Sequence, residues 1–205
     1  MSIRQSILAI LGQGPCYGYQ LRSEFERRTG AIWPLNVGQI YNTLDRLERD
    51  GLVEKADTDK EGHVYYAITA AGTAEVDEWL ASAVVRAGAA RNELAIKLAV
   101  AVTLPDVPIT EVIQTQRAAS LGTLHALTAD KNSAGDALST ESLAGLLVIE
   151  SLIFAAEAEL RWLDYAEAQL LRASAAGVGA PVPLSTQTPK RGRPAKPAVS
   201  GPANG

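Results

Sequence analysis

The chain has 205 residues, 47% hydrophobic and 20% charged, with a formal net charge of −4. That balance belongs to one large or two small globular domains with real cores, and the acidic total argues against broad non-specific nucleic-acid binding. A single cysteine, Cys16, excludes an intramolecular disulfide, and with no signal-peptide pattern and no 18-residue apolar run a soluble cytoplasmic protein without a membrane partner is expected.

The charge is uneven: residues 1–86 carry −3, residues 87–180 carry −5, and residues 181–205 carry +4. Few aromatics and abundant alanine favour helix over sheet. The expected fold class is mostly α. It divides into an N-terminal winged helix-turn-helix domain over 1–86, a helical domain over 87–176, and a disordered basic Pro/Gly-rich tail over 177–205.

From the N-terminus, Ile3, Ile7, Leu8, Ile10 and Leu11 make a helical stripe over 2–12, broken by GQGPC at 12–16. A second helix runs from Tyr17 to Thr29, with Leu21 and Phe25 four apart and Gly30 at its end.

The third helix, PLNVGQIYNTLDRLERDGLV at 34–53, has the fullest start and stop signals. Asn36 caps it, and Gln39 three residues on completes a capping box. Leu35 and Ile40 have staple spacing, and Gly51 with Leu52 provides the C-terminal stop, giving about 14 residues. At 100° per residue Ile40, Leu44 and Leu47 share a core face, while Gln39, Asn42, Arg46 and Arg49 share the opposite one. Amides pair with adenine and arginines with guanine or phosphate, so this is a base-reading inventory; the alternative is a merely solvated face.

Next, LVEKA at 52–56 and HVYYAI at 63–68 bracket the turn composition DTDKEG, which predicts a hairpin, hence a wing. TAAG at 69–72 opens a further helix through Trp79 and Leu80.

In order and spacing, YGYQL at 17–21, GQIY at 38–41, LDRLERDGLV at 44–53 and YYAITAAG at 65–72 resemble the PadR family of bacterial transcriptional regulators. The resemblance covers the first 80 positions and implies a winged helix followed by a helical dimerisation domain of the long type. It implies a homodimeric, effector-responsive repressor that reads an inverted repeat in double-stranded DNA. With the helix faces, it makes Gln39, Tyr41, Asn42, Thr43, Arg46, Arg49, Lys60 and His63 the candidate DNA-binding residues. Where many members carry proline this chain has Asn42, and Asp45 replaces a basic residue. The wing sets Asp57, Asp59 and Glu61 against Lys55 and Lys60, an acidic balance that disfavours phosphate contact by the wing.

Residues 89–176 predict three helices near 91–102, 109–130 and 140–174, separated by PDVP at 105–108 and DKNSAGD at 130–136. In the last, Leu146, Ile149, Ile153, Ala156, Leu160, Leu163, Glu167 and Leu170 recur at steps of three and four. This seam packs either against a second copy or within the chain, and periodicity cannot choose between them; the resemblance implies dimerisation.

The tail holds six prolines and five glycines, a composition that cannot order itself. Within it PKRGRPAKP at 189–197 resembles an AT-hook: Lys190, Arg191, Gly192, Arg193, Pro194 and Lys196 supply an extended backbone and cations for a narrow A·T minor groove. The alternatives are a plain basic tail or, with a working hook, an architectural, nucleoid-type protein.

No catalytic triad, phosphate loop, cofactor motif or metal-ligand spacing is present, and His63 and His125 fall on a wing and a helix. An enzyme is not expected, nor a cofactor. Trp33, Trp79, Trp162 and Tyr165 could wall an effector pocket or serve as core, and no effector residue is assigned.

Overall fold

The computed structural model describes residues 2–84, 92–135 and 139–182. Seven helices and one hairpin follow in order among these residues: α1 Ser2–Leu11, α2 Gly18–Arg28, α3 Val37–Arg49, β1 Val53–Thr58, β2 Val64–Ile68, α4 Ala70–Ala81, α5 Glu93–Ala101, α6 Ile109–Ala134 and α7 Thr140–Ala175.

The first four helices and the hairpin close around one apolar core. Ile7, Leu8 and Leu11 of α1, Leu21 of α2, and Ile40, Leu44 and Leu47 of α3 are essentially inaccessible to solvent. Each contributes about 1.5–3 kcal/mol by leaving water, so this one cluster is the main source of stability for the N-terminal half. Val53, Tyr66 and Val76 join it from the hairpin and α4.

Between β1 and β2 the antiparallel register runs Val53↔Ile68, Glu54↔Ala67 and Lys55↔Tyr66, then slips before Thr58↔Val64. That bulge carries β1 through Asp57 and Thr58, two residues beyond the segment expected from composition. An extra residue on one strand lets pairing continue past the polar positions. The break between α1 and α2 also does more than interrupt a helix: Cys16 exchanges two backbone hydrogen bonds with Tyr66, at 3.1 and 3.0 Å, and so ties the α1–α2 connection to the wing. Gly72 lets α4 lie directly on the α3–β1 turn, because a Cβ there would stand 2.2 Å from the Leu52 carbonyl oxygen.

The C-terminal half is an antiparallel pair of long helices with α5 alongside. Lys131 pairs with Glu150, Gln116 bonds Glu159 and Gln114 bonds Glu167, so α6 and α7 run in opposite directions. α6 continues through Ala134, four residues past the expected stop. Its added turn is held by the 2.6 Å Lys131–Glu150 pair and ended by Gly135 at φ 68°. Leu98, Ile113 and Leu163 form a second, smaller core.

Leu163 and Leu170 of the predicted seam therefore pack inside the chain. Leu146, Ile149, Ile153 and Leu160 are half-buried. After α7, Val178 donates to the Ala173 carbonyl at 2.8 Å and Val182 to that of Thr103 at 3.0 Å. The AT-hook-like residues Lys190, Arg191, Gly192, Arg193, Pro194 and Lys196 lie outside the described residues.

Candidate nucleic-acid interface

α3 starts where its sequence says it should. The Asn36 side chain accepts from the Gln39 N–H at 2.8 Å, and the Gln39 side chain accepts from the Asn36 N–H at 3.1 Å, a complete capping box. At the other end Gly51 adopts φ 73°, and Leu52 donates back to the Leu47 carbonyl at 2.9 Å. A short helix capped at both ends presents its side chains in a fixed frame, as reading DNA requires.

The outward face carries Gln39, Asn42, Asp45, Arg46 and Arg49, all exposed. The cap claims the carbonyl oxygen of Gln39, leaving its NH2 group for a partner. Thr43 donates its hydroxyl to the Gln39 backbone carbonyl at 2.7 Å. Tyr41 is half-buried and lies over the first residue of α2: a Cβ on Gly18 would stand 2.6 Å from the Tyr41 ring. Its ring thus fixes the angle between α2 and α3.

Tertiary structure adds a residue that no local pattern marks. Ile3 and Arg4 of α1 line one concavity of about 420 Å³ with Gln39, Asn42, Thr43 and Arg46. Arg4 is held there by Asp50 at 3.0 Å and Glu75 at 3.5 Å. The spacing of α1 shows only which of its residues face the core, so Arg4 has no sequence signal.

In the wing, Lys60 is exposed and His63 is anchored. The His63 ring stacks on Tyr17 with centroids 4.5 Å apart, and its Nδ1 lies 2.8 Å from Asp59 Oδ2. Asp59 Oδ1 accepts from the backbone N–H groups of Glu61 and His63. Desolvation pushes the Asp59 carboxyl up, but these donors outweigh it and hold the group below the ordinary aspartate range. Ligand atoms of Asp59, Glu61 and His63 come within 4.8 Å of one another, though the Asp59 carboxylate is already spent on internal hydrogen bonds. Lys55 bonds Glu48 at 2.8 Å, so Lys60 is the wing cation that no such pair engages among the described residues.

Burial, with help from Glu24 and against Arg28, pushes the Cys16 thiol up and makes it a poor nucleophile. Trp33 and Tyr165 are exposed and Trp162 packs against the second core, so these aromatics lie in different environments. No described helix is long and apolar enough to cross a membrane.

Residues 7–78 match the family model described as transcriptional regulator PadR-like family, and residues 90–171 match virulence activator alpha C-term. The protein named Probable transcriptional regulator Rv1176c of Mycobacterium tuberculosis is 29% identical over 80% of this chain and 95% of its own length. The negative transcriptional regulator PadR of Bacillus subtilis is 30% identical over 38% of this chain and 44% of its own.

Among solved structures, Bacillus subtilis PadR in complex with operator DNA superposes with a TM-score of 0.61 at 21% identity, covering 82% of this chain and 99% of that one. The Vibrio cholerae virulence activator AphA gives 0.62 at 20% identity, covering 83% and 98%. The same Bacillus protein in complex with p-coumaric acid gives 0.63 at 21% identity, covering 82% and 98%. These likenesses establish the fold. With both halves matched in order and a relative aligned along nearly its whole length, residues 7–78 belong to the PadR-like family of transcriptional regulators, and residues 90–171 match the C-terminal arrangement of its long form.

Proposed function

We propose that this chain is a homodimeric repressor whose two α3 helices read an inverted-repeat operator in successive major grooves, and which a small-molecule effector releases. The observation that carries the reading is α3 itself: capped at both ends, its apolar face inaccessible, and its opposite face offering two amides and two guanidinium groups. Arg4 joins that face from α1 as a candidate phosphate or groove contact. Repression and effector control are proposed from relatives, one named a negative regulator and solved both with operator DNA and with p-coumaric acid.

The outer side of α7 supports the dimer. Leu143, Leu147, Phe154 and Tyr165 are exposed there at 46–63%. Their spacing of four, seven and eleven residues keeps them on one stripe of the helix, and an apolar stripe of that length is unusual on a monomer. We assign the dimer contact to this stripe together with the half-buried Leu146, Ile149, Ile153 and Leu160. Footprinting of the intact protein on genomic fragments tests the whole reading: two protected half-sites about one helical turn apart are expected. Uniform coverage without a repeat would replace it with architectural binding.

A further inference from the structure

Of the six acidic residues on α7, five have a cation within reach among the described residues. Glu141 meets Arg27, Glu150 meets Lys131, Glu157 meets Arg161, and Asp164 and Glu167 both meet Arg117. Glu159 has none. Its partners are neutral: Ser120, only 5% exposed, donates its hydroxyl to Glu159 Oε1 at 2.6 Å, and Gln116 Nε2 donates to the same oxygen at 2.9 Å. Two donors on one oxygen hold the carboxylate in place. Both bonds go to Oε1.

Glu159 stands at the wall of a cavity of about 450 Å³ between α6 and α7, large enough for a drug-sized molecule. Leu127, Leu152 and Ala156 supply its apolar surface, and no lysine, arginine or histidine lines it among the described residues. A carboxylate with no counter-ion in an apolar recess favours a cationic ligand and repels an anionic one.

We propose that this cavity binds an organic cation, a protonated amine carried on an aromatic or aliphatic body, with the nitrogen at Glu159 and the body between Leu127 and Leu152. This deepens the effector-controlled reading above and rests on it. It also gives this chain an effector of opposite charge to a carboxylic acid. A ligand seated there lies between the two helices, and α7 carries at its start the contacts with α2, so occupancy bears on how the DNA-binding half is held.

The test uses the full chain and isothermal calorimetry with 1-naphthylmethylammonium and 1-naphthaleneacetate, which share a ring system and differ in charge. Saturable binding of the cation alone is expected. Glu159→Gln should weaken it roughly ten- to hundredfold, the value of a charge-assisted hydrogen bond. Ala119→Trp, at an exposed position on the cavity rim, should abolish it without unfolding the protein. Equal binding of both probes, or cation binding that survives Glu159→Gln unchanged, overturns the site. So does absence of cation binding, above all if Ala119→Trp then dissociates a dimer, since a second copy would fill the recess. Operator affinity measured with and without the cation keeps the two readings apart. Glu159-dependent binding that leaves DNA affinity unmoved sustains the site and removes its role as the effector switch.

Discussion

Gly30, just past α2, and Gly145, in the second turn of α7, meet backbone to backbone. A Cβ built on Gly30 would stand 3.3 Å from the Gly145 Cα. Beside them Arg27 bonds Glu141 at 2.9 Å. These contacts join the DNA-binding half to the long helix of the other half, and the closeness depends on two residues without side chains. Gly30 is doubly constrained, since its φ of 63° disfavours any other residue.

The two glycines should respond differently to substitution. A Cβ on Gly145 meets Gly30 at an ordinary 3.5 Å, so Gly145→Ala should stabilise the fold by up to about 1 kcal/mol through helix propensity. Gly30→Ala should destabilise it by about 1–2 kcal/mol through the left-handed backbone. Paired thermal melts check the signs; a loss for Gly145→Ala would mean the joint is tighter than these distances show.

On α3, Asn42→Ala and Arg46→Ala should each weaken operator binding by about 1–3 kcal/mol per half-site, with a smaller effect on unrelated DNA. Competition binding at one fixed salt concentration measures this. Equal losses on both DNAs would reassign the residue to phosphate, and no loss would make the face merely solvated. Arg4→Ala belongs in the same series, with a melt alongside because its ion pairs to Asp50 and Glu75 are lost too.

For the dimer, Leu147→Glu with Phe154→Glu should yield a folded monomer, because both side chains are more than half exposed in the single chain. Charging Ile153 and Leu160 instead should lower the melting temperature as well, because these side chains are half-buried in the single chain. Sedimentation and circular dichroism together separate the cases. A full-strength dimer from the Leu147/Phe154 variant would move the interface elsewhere.

The wing should loosen in acid. Asp59 has its folded carboxyl held below the unfolded value of about 3.9, so its contribution is present above that pH and disappears as pH falls through the lower folded value. The Glu61 and His63 amide resonances should therefore shift together below about pH 4, and Asp59→Asn should remove that transition. If the wild-type amides move instead at a distinctly higher pH, another group holds the loop.

Deleting residues 183–205 removes Lys190, Arg191, Arg193 and Lys196. If all four contact DNA, the slope of log affinity against log salt should flatten by up to about 3.6 per tail, at roughly 0.9 per charge. A minor-groove arm adds a condition: the loss should be confined to operators with A·T flanks. Help on A·T and G·C flanks alike would make the tail an electrostatic tether.

What the sequence determined alone was everything written in local spacing. The Asn36–Gln39 capping box, the Gly51 stop and the division of α3 into Ile40/Leu44/Leu47 and Gln39/Asn42/Arg46/Arg49 faces depend on neighbours within four residues, and the chain carries them whole. Helix existence was equally legible. The stop of α6 was not, because the Lys131–Glu150 pair that holds its last turn joins residues 19 apart. Nor was the role of the α7 stripe: periodicity shows that a face is apolar but not what covers it, and only the packing of α6 put Leu163 inside while leaving Leu147 and Phe154 in solvent. Arg4 beside Asn42, Cys16 paired with Tyr66, and Glu159 without a cation are relations between distant segments. Tertiary structure alone decided them, since a side chain's partner across the fold is set by how helices pack, and one-dimensional spacing carries no record of that.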